Sequence, residues 1–197
     1  MMNLIKQRIA ESITVKDAIL NDEAFLQQIV KLAEDCQQTL IQGGKIILAG
    51  NGGSFADAQH ISAEFTSRFT RERDPLASIA LGTNSSSMSA IGNDYGYSQV
   101  FARELACLAR PEDLFVAIST SGNSENLLRA VEIANEKALD VWALTGEAGG
   151  RLSGMCQCIM VPSTDTGRIQ ECHIMIGHVI CELVETYYFI NTERNAV

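Results

Sequence analysis

His60 and Glu64 stand four residues apart in ILAGNGGSFADAQHISAEF, residues 47–65. On a helix this spacing puts an imidazole and a carboxylate on one face, one turn apart. Much later in the chain, Gln170 and His178 are eight residues apart, again on roughly one helix face. An imidazole with a carboxylate can share a divalent metal or a substrate oxygen, or move a proton, and a second helix can complete the set. Taken singly, each residue has a structural explanation: His60 as a satisfied polar side chain, Glu64 as a solvated helix charge, His178 as a core histidine bonded to a carbonyl. His173, near the Gln170 face, reads as structural or as a support for its neighbours.

Two loops add weight to the chemical reading. AGNGGS follows an apolar run, so Asn51, Gly52, Gly53 and Ser54 lie where a strand ends and a helix begins, with Ser54 as the expected helix start. Glycines there allow close backbone approach, and helix N–H groups point at whatever occupies the turn. A dinucleotide fingerprint from Gly50 would need glycine where Phe55 stands, and the Lys-Ser/Thr pair of a Walker loop is absent. From this turn alone, a phosphate cradle and a tight ligand-free connection explain the residues equally well. LFVAISTSGNSENLL then carries Ser119, Thr120, Ser121 and Ser124 from a second strand toward a helix. Helix capping accounts for one or two hydroxyls, but a cluster of four with oriented amides suits a phosphate dianion. TNSSSMSAIGND, 83–94, is also hydroxyl-rich, and its serines alone read as caps and turns. Arg68, Arg71 and Arg73 form a short basic run beside Glu72 and Asp74; Arg68 is the one expected near a site.

These residues need a scaffold. Ile5, Ile9 and Ile13, then Phe25, Ile29, Leu32 and Leu40, recur at helical spacing, which predicts two N-terminal helices separated at Asn21-Asp22 and ended at Gly43-Gly44. Five short apolar runs, 45–49, 77–81, 114–118, 141–144 and 158–161, predict buried strands, with helical segments between them. The βαβ pattern predicts a doubly wound three-layer α/β/α sandwich around a five-stranded, mostly parallel sheet. Ligands of such sheets bind beyond the carboxyl ends of the strands, where both loops fall. A C-terminal helix is expected from about Arg168 to Tyr188, apolar on more than one side. It and the N-terminal pair, 1–42, suggest packing into an oligomer, with 1–197 as one domain.

The chain has 197 residues, 46% of them hydrophobic and 20% charged, which is long enough and apolar enough for a sizeable core. Its formal charge of −9 argues against nucleic acid as a partner, because phosphate backbones are bound chiefly through Lys and Arg. An anion would have to be held by local amides and hydroxyls. No run reaches the ~18 apolar residues of a membrane span and the N-terminus does not read as a signal peptide, so a cytoplasmic location is expected. Six cysteines without a C-x-x-C pair read as reduced core thiols, and Cys156 and Cys158 as poor metal ligands.

AGNGGSFADAQHISAEF, AIGNDYGY, AISTSGNS and GRIQECHIMIGHVI, in this order, resemble the bacterial phosphoheptose isomerases of the sugar isomerase (SIS) fold, across almost the whole chain. The resemblance implies a flavodoxin-like SIS domain in a homotetramer with sites at subunit interfaces. It implies interconversion of sedoheptulose 7-phosphate and glycero-manno-heptose 7-phosphate, the first step toward activated heptose for cell-surface polysaccharide. It also implies sugar contacts by Asn51, Gly52, Gly53, Asn93 and Asp94, phosphate contacts by Ser119, Thr120, Ser121 and Ser124, and zinc ligation by His60, Glu64, Gln170 and His178. For a ketose–aldose exchange through an enediol, Glu64 is the expected base and His178 the partner acid. A related branch binds the replication initiator protein and does no isomerisation; it matches GNGGS and RIQE but lacks counterparts of Glu64 and His178. A non-catalytic sensor or scaffold on the same fold is therefore the alternative.

Overall fold

A computed structural model of the chain describes residues 1–195, with side chains described through residue 188. The strands are β1 (Ile46–Gly50), β2 (Ser78–Ala80), β3 (Leu114–Ile118), β4 (Asp140–Gly146) and β5 (Gln157–Val161). They form one sheet in the order β2-β1-β3-β4-β5, and every pairing is parallel. Leu48 sits in register with Ala80 on one side and Val116 on the other. β1 and β3 are buried along their whole length, as strands covered on both faces must be.

Alternation along the strands divides the core. Ile46, Leu48, Leu114, Val116 and Ile118 face one way, under α2 (Glu23–Ile41), α3 (Gly53–Thr66) and α7 (Thr166–Asn195). Ile47, Ala49, Phe115 and Ala117 face the other, under α5 (Val100–Leu108) and α6 (Glu125–Glu136). α4 (Ser85–Tyr95) lies toward the second face through Met88 and Ile91. Because the chain leaves β1 to one face and β3 to the other, their carboxyl ends bracket a crevice at the switch point of the sheet.

α1 (Met2–Leu20) is different: its apolar stripe of Leu4, Ile5, Ile9 and Ile13 is exposed, and only Ile19 is buried. α2 begins at Asp22, whose carboxylate accepts from the Phe25 amide, and it stops at Gln42 before Gly43, as the spacing predicts. The N-terminus of α3 departs from expectation. Gly52, with φ +57°, is the cap residue and Ser54 lies buried inside the first turn. A positive φ there turns the chain more sharply than a serine cap would, so the helix starts one residue early. α7 also starts two residues before the expected Arg168.

Cys36, Cys172 and Cys181 are buried, but Cys107 is exposed and Cys156 and Cys158 are half-buried, so the core-thiol reading holds for three of them. Cys107 lies on the outer side of α5, and the other two lie on or just before the edge strand β5. Among the described residues no helix is long and apolar enough to cross a membrane.

Candidate active site

α3 and α7 pack closely because Gly177 has no side chain: a Cβ there would stand 2.4 Å from Ile61 Cδ1. Next to this contact, one residue away on each helix, are His60 and His178, and their Nε2 atoms lie 3.0 Å apart. Glu64 Oε1 is 3.2 Å from His60 Nε2. The three ligating atoms all lie within 4.8 Å of one another. Phe69 stacks on the His178 ring at 5.5 Å between centroids and fixes its plane from the side.

The donor set suits a divalent metal. Four ligands around zinc at about 2.0–2.1 Å stand roughly 3.3 Å apart in a tetrahedron, close to the two separations here. Two imidazole nitrogens facing each other are also satisfied better by a shared cation than by one proton. Asp57, one turn before His60, adds a carboxylate that the sequence analysis passed over. Its Oδ2 is buried without a hydrogen-bond partner, and burial pushes its pKa up against the pull of His60 and His178.

The two loops meet across the switch point. Asn51 and Asn126 exchange reciprocal amide hydrogen bonds of 2.9 and 3.0 Å, which tie the glycine turn to the first turn of α6. The Tyr97 hydroxyl also donates to Asn51 Oδ1, at 3.0 Å. Ser119 and Ser124 bring their hydroxyls within 3.3 Å of each other, and the Gly122 amide donates to Ser119 Oγ at 3.2 Å. Thr120 is half-buried and Ser121 exposed at the same mouth, where α6 begins. Gly122 has φ +64°, and a Cβ would stand 2.0 Å from the Gly149 carbonyl oxygen, so the loop closes tightly onto the turn after β4.

Of the other residues expected here, Gln170 packs its amide over Gly53, where an added Cβ would meet Nε2 at 2.9 Å. Gly52 and Gly53 are exposed at the turn, while Ser54 is buried beneath them. Asn93 and Asp94 are exposed near the end of α4 and hydrogen-bond to each other at 2.8 Å. The tie from that segment to the glycine turn runs through Tyr97.

His173 is fully buried and donates Nε2–H to the Thr145 carbonyl at 3.2 Å, the structural role expected of it. Burial lowers its pKa to about 4. Within the basic run Arg68 is exposed and pairs with Glu72 at 3.5 Å, the neutralising partner expected, whereas Arg73 is buried against Glu185 at 3.0 Å. Glu185 lies too far along the chain for a local charge pattern to reveal that pairing.

Residues 10–146 match the SIS domain family model. The chain is 50% identical to the phosphoheptose isomerase of Aneurinibacillus thermoaerophilus over 192 residues, covering 97% of each. It belongs to the phosphoheptose isomerases.

Solved phosphoheptose isomerases share the architecture. That of Neisseria gonorrhoeae superposes with a TM-score of 0.87 at 40% identity, over 94% of this chain and 98% of the other. That of Francisella tularensis gives 0.89 at 36% identity, with the same coverage. This phosphoheptose isomerase family member thus keeps a five-stranded parallel sheet, with a histidine–carboxylate group assembled from α3 and α7.

Proposed function

We propose that this protein is an aldose–ketose isomerase that converts sedoheptulose 7-phosphate to glycero-manno-heptose 7-phosphate. The observation that carries this reading is the convergence of His60 and Glu64 with His178, from helices far apart in the chain. The likeness to named phosphoheptose isomerases over 97% of the chain supports the choice of sugar. The presence of both Glu64 and His178 in one group favours an enzyme over a non-catalytic phosphosugar-binding or initiator-binding protein.

The hydroxyls of Ser119, Thr120, Ser121 and Ser124 and the N-terminus of α6 form the phosphate anchor. Asn51, Gly52, Gly53, Asn93, Asp94 and Gln170 contact the sugar. With the phosphate anchored beside β3, the reacting end of an open-chain sugar extends toward α3 and α7. Glu64 removes the proton from C1 of the ketose as His178 protonates the C2 oxygen, which gives an enediol, and Glu64 then returns the proton to C2 as the C1 hydroxyl proton passes to His178 and the aldehyde forms. His178 serves as the partner acid. Its Nε2 cannot carry that proton and bind a cation at the same moment, because both use one lone pair.

His60, Glu64, Gln170 and His178 are the residues that would hold zinc. A bound zinc would polarise the carbonyl and adjacent hydroxyl and lower the energy of the enediol. The whole chain, 1–197, acts as one SIS unit, and residues 1–42 pack subunits into a homotetramer with sites at the interfaces. A cytoplasmic location and a place at the start of activated-heptose synthesis for surface polysaccharide follow from the same reading.

Incubation with sedoheptulose 7-phosphate, followed by NMR or chromatography for the aldose, tests the proposal, with hexose 6-phosphates as a specificity panel. Binding without conversion would overturn it in favour of a sensor. Faster conversion of a hexose phosphate would overturn the substrate assignment.

A further inference from the structure

The strongest structure outside the reacting group is a buried ion pair two turns beyond His178. Glu185 and Arg73 have side chains each 1% exposed. The Glu185 carboxylate accepts from the amides of Phe69, Thr70 and Arg71 at 3.2, 2.8 and 3.0 Å, from the Thr70 hydroxyl at 2.5 Å, and from Arg73 Nε at 3.0 Å. Arg73 in turn donates Nη2–H to the Glu64 carbonyl at 2.8 Å and Nη1–H to the Phe65 carbonyl at 2.9 Å. These are carbonyls of the last turn of α3, which has no following helical amides to satisfy them.

The arrangement joins three parts of the site. One carboxylate on α7 gathers the loop that contains Phe69, and Phe69 stacks on His178 of the same helix. The guanidinium gripped by that carboxylate holds the backbone of Glu64 itself. We propose that Arg73, Glu185 and Phe69 are positioning residues that set the placement of Glu64 on α3 against His178 on α7, so that the ion pair tunes the reaction without touching substrate. This rests on the reading of Glu64 and His178 given above.

Burial alone would raise the pKa of Glu185, yet the Thr70 hydroxyl and the three loop amides hold it down at about 2. The carboxylate therefore stays ionised and gripping through the whole working range of an enzyme. A purely structural clamp could equally have been apolar, since well-packed hydrophobic groups often replace buried ion pairs without loss of stability. A fork of fixed geometry, aimed at the carbonyl of the catalytic carboxylate residue, supplies direction as well as cohesion.

Glu185→Gln keeps the shape and removes the charge, and it lies outside contact with His178. The expected result is a folded protein with kcat about 10- to 100-fold lower and KM for sedoheptulose 7-phosphate within about threefold of wild type. The NMR resonance of the His178 ring Hε1 should also move. Phe69→Leu removes the stack without touching the ion pair and is expected to give the same split, so it stands in if Glu185→Gln does not fold. An unchanged kcat together with an unmoved His178 resonance in a folded variant overturns the proposal, as does a loss confined to KM. A wild-type protein that leaves sedoheptulose 7-phosphate unconverted sinks the functional reading instead, and the His178 resonance in Glu185→Gln then still decides the positioning role.

Discussion

The Nε2 atoms of His60 and His178 stand 3.0 Å apart, although 118 positions of sequence separate them. That approach is possible because Ile61 fits against Gly177, and it places Glu64 within reach of both rings. In the proposed reaction, competence therefore depends on one helix–helix contact as much as on the identity of the reacting groups.

Glu64→Gln tests the base directly. The amide keeps the volume but cannot accept a proton from carbon, so kcat should fall by about 10²- to 10⁴-fold. Thermal midpoint and binding of the sugar phosphate, measured by calorimetry, should stay near wild type. Turnover close to wild type would remove Glu64 from its assigned role.

Zinc titration of chelator-stripped protein is expected to saturate at one ion per chain. His178→Ala should weaken that binding by more than about 100-fold, because a lost ligand costs more than a lost supporting contact. Metal analysis after dialysis, with the wild type alongside, provides the check.

Gly122→Ala places a Cβ 2.0 Å from the Gly149 carbonyl oxygen at a backbone φ of +64°. The strain should cost about 1–3 kcal/mol in urea denaturation and weaken phosphate binding, since the serine loop must shift to relieve it.

His173 makes stability depend on pH. Its folded pKa of about 4 lies below the ordinary value of 6.5, so the unfolded chain binds the extra proton first as pH falls. The stabilisation is fully present above pH 6.5 and is lost as pH drops toward 4, by about 3 kcal/mol in total. Urea midpoints between pH 7 and pH 4, compared with His173→Gln, should show this slope in wild type and a shallower one in the variant.

Ile9→Glu with Ile13→Glu puts charges on the exposed stripe of α1. Neither side chain belongs to the protomer's own core, so the fold should persist. Sedimentation should show the proposed tetramer replaced by smaller species, and an unchanged assembly would place the subunit contact elsewhere.

The strands and the two-faced core were legible because buried parallel strands write themselves as short apolar runs ended by glycine or serine. His60 and Glu64 were legible for a similar reason, since a helix turn makes their spacing meaningful. The start of α3 was misread because a capping serine is a stronger local signal than a glycine whose φ is set by the turn. Asn126, Asp57 and the Arg73–Glu185 pair were not legible. Each gains its meaning from a partner across the fold: Asn51 lies 75 residues from Asn126, and Glu185 lies 112 from Arg73.

α7 presents Gln170 to the glycine turn, His173 to β4, His178 to α3 and Glu185 to the loop after α3. A slip of one residue in its seating would rotate all four by about 100° and withdraw them together. Seating this one cylinder therefore closes the interior and brings the proposed reacting groups together in the same event.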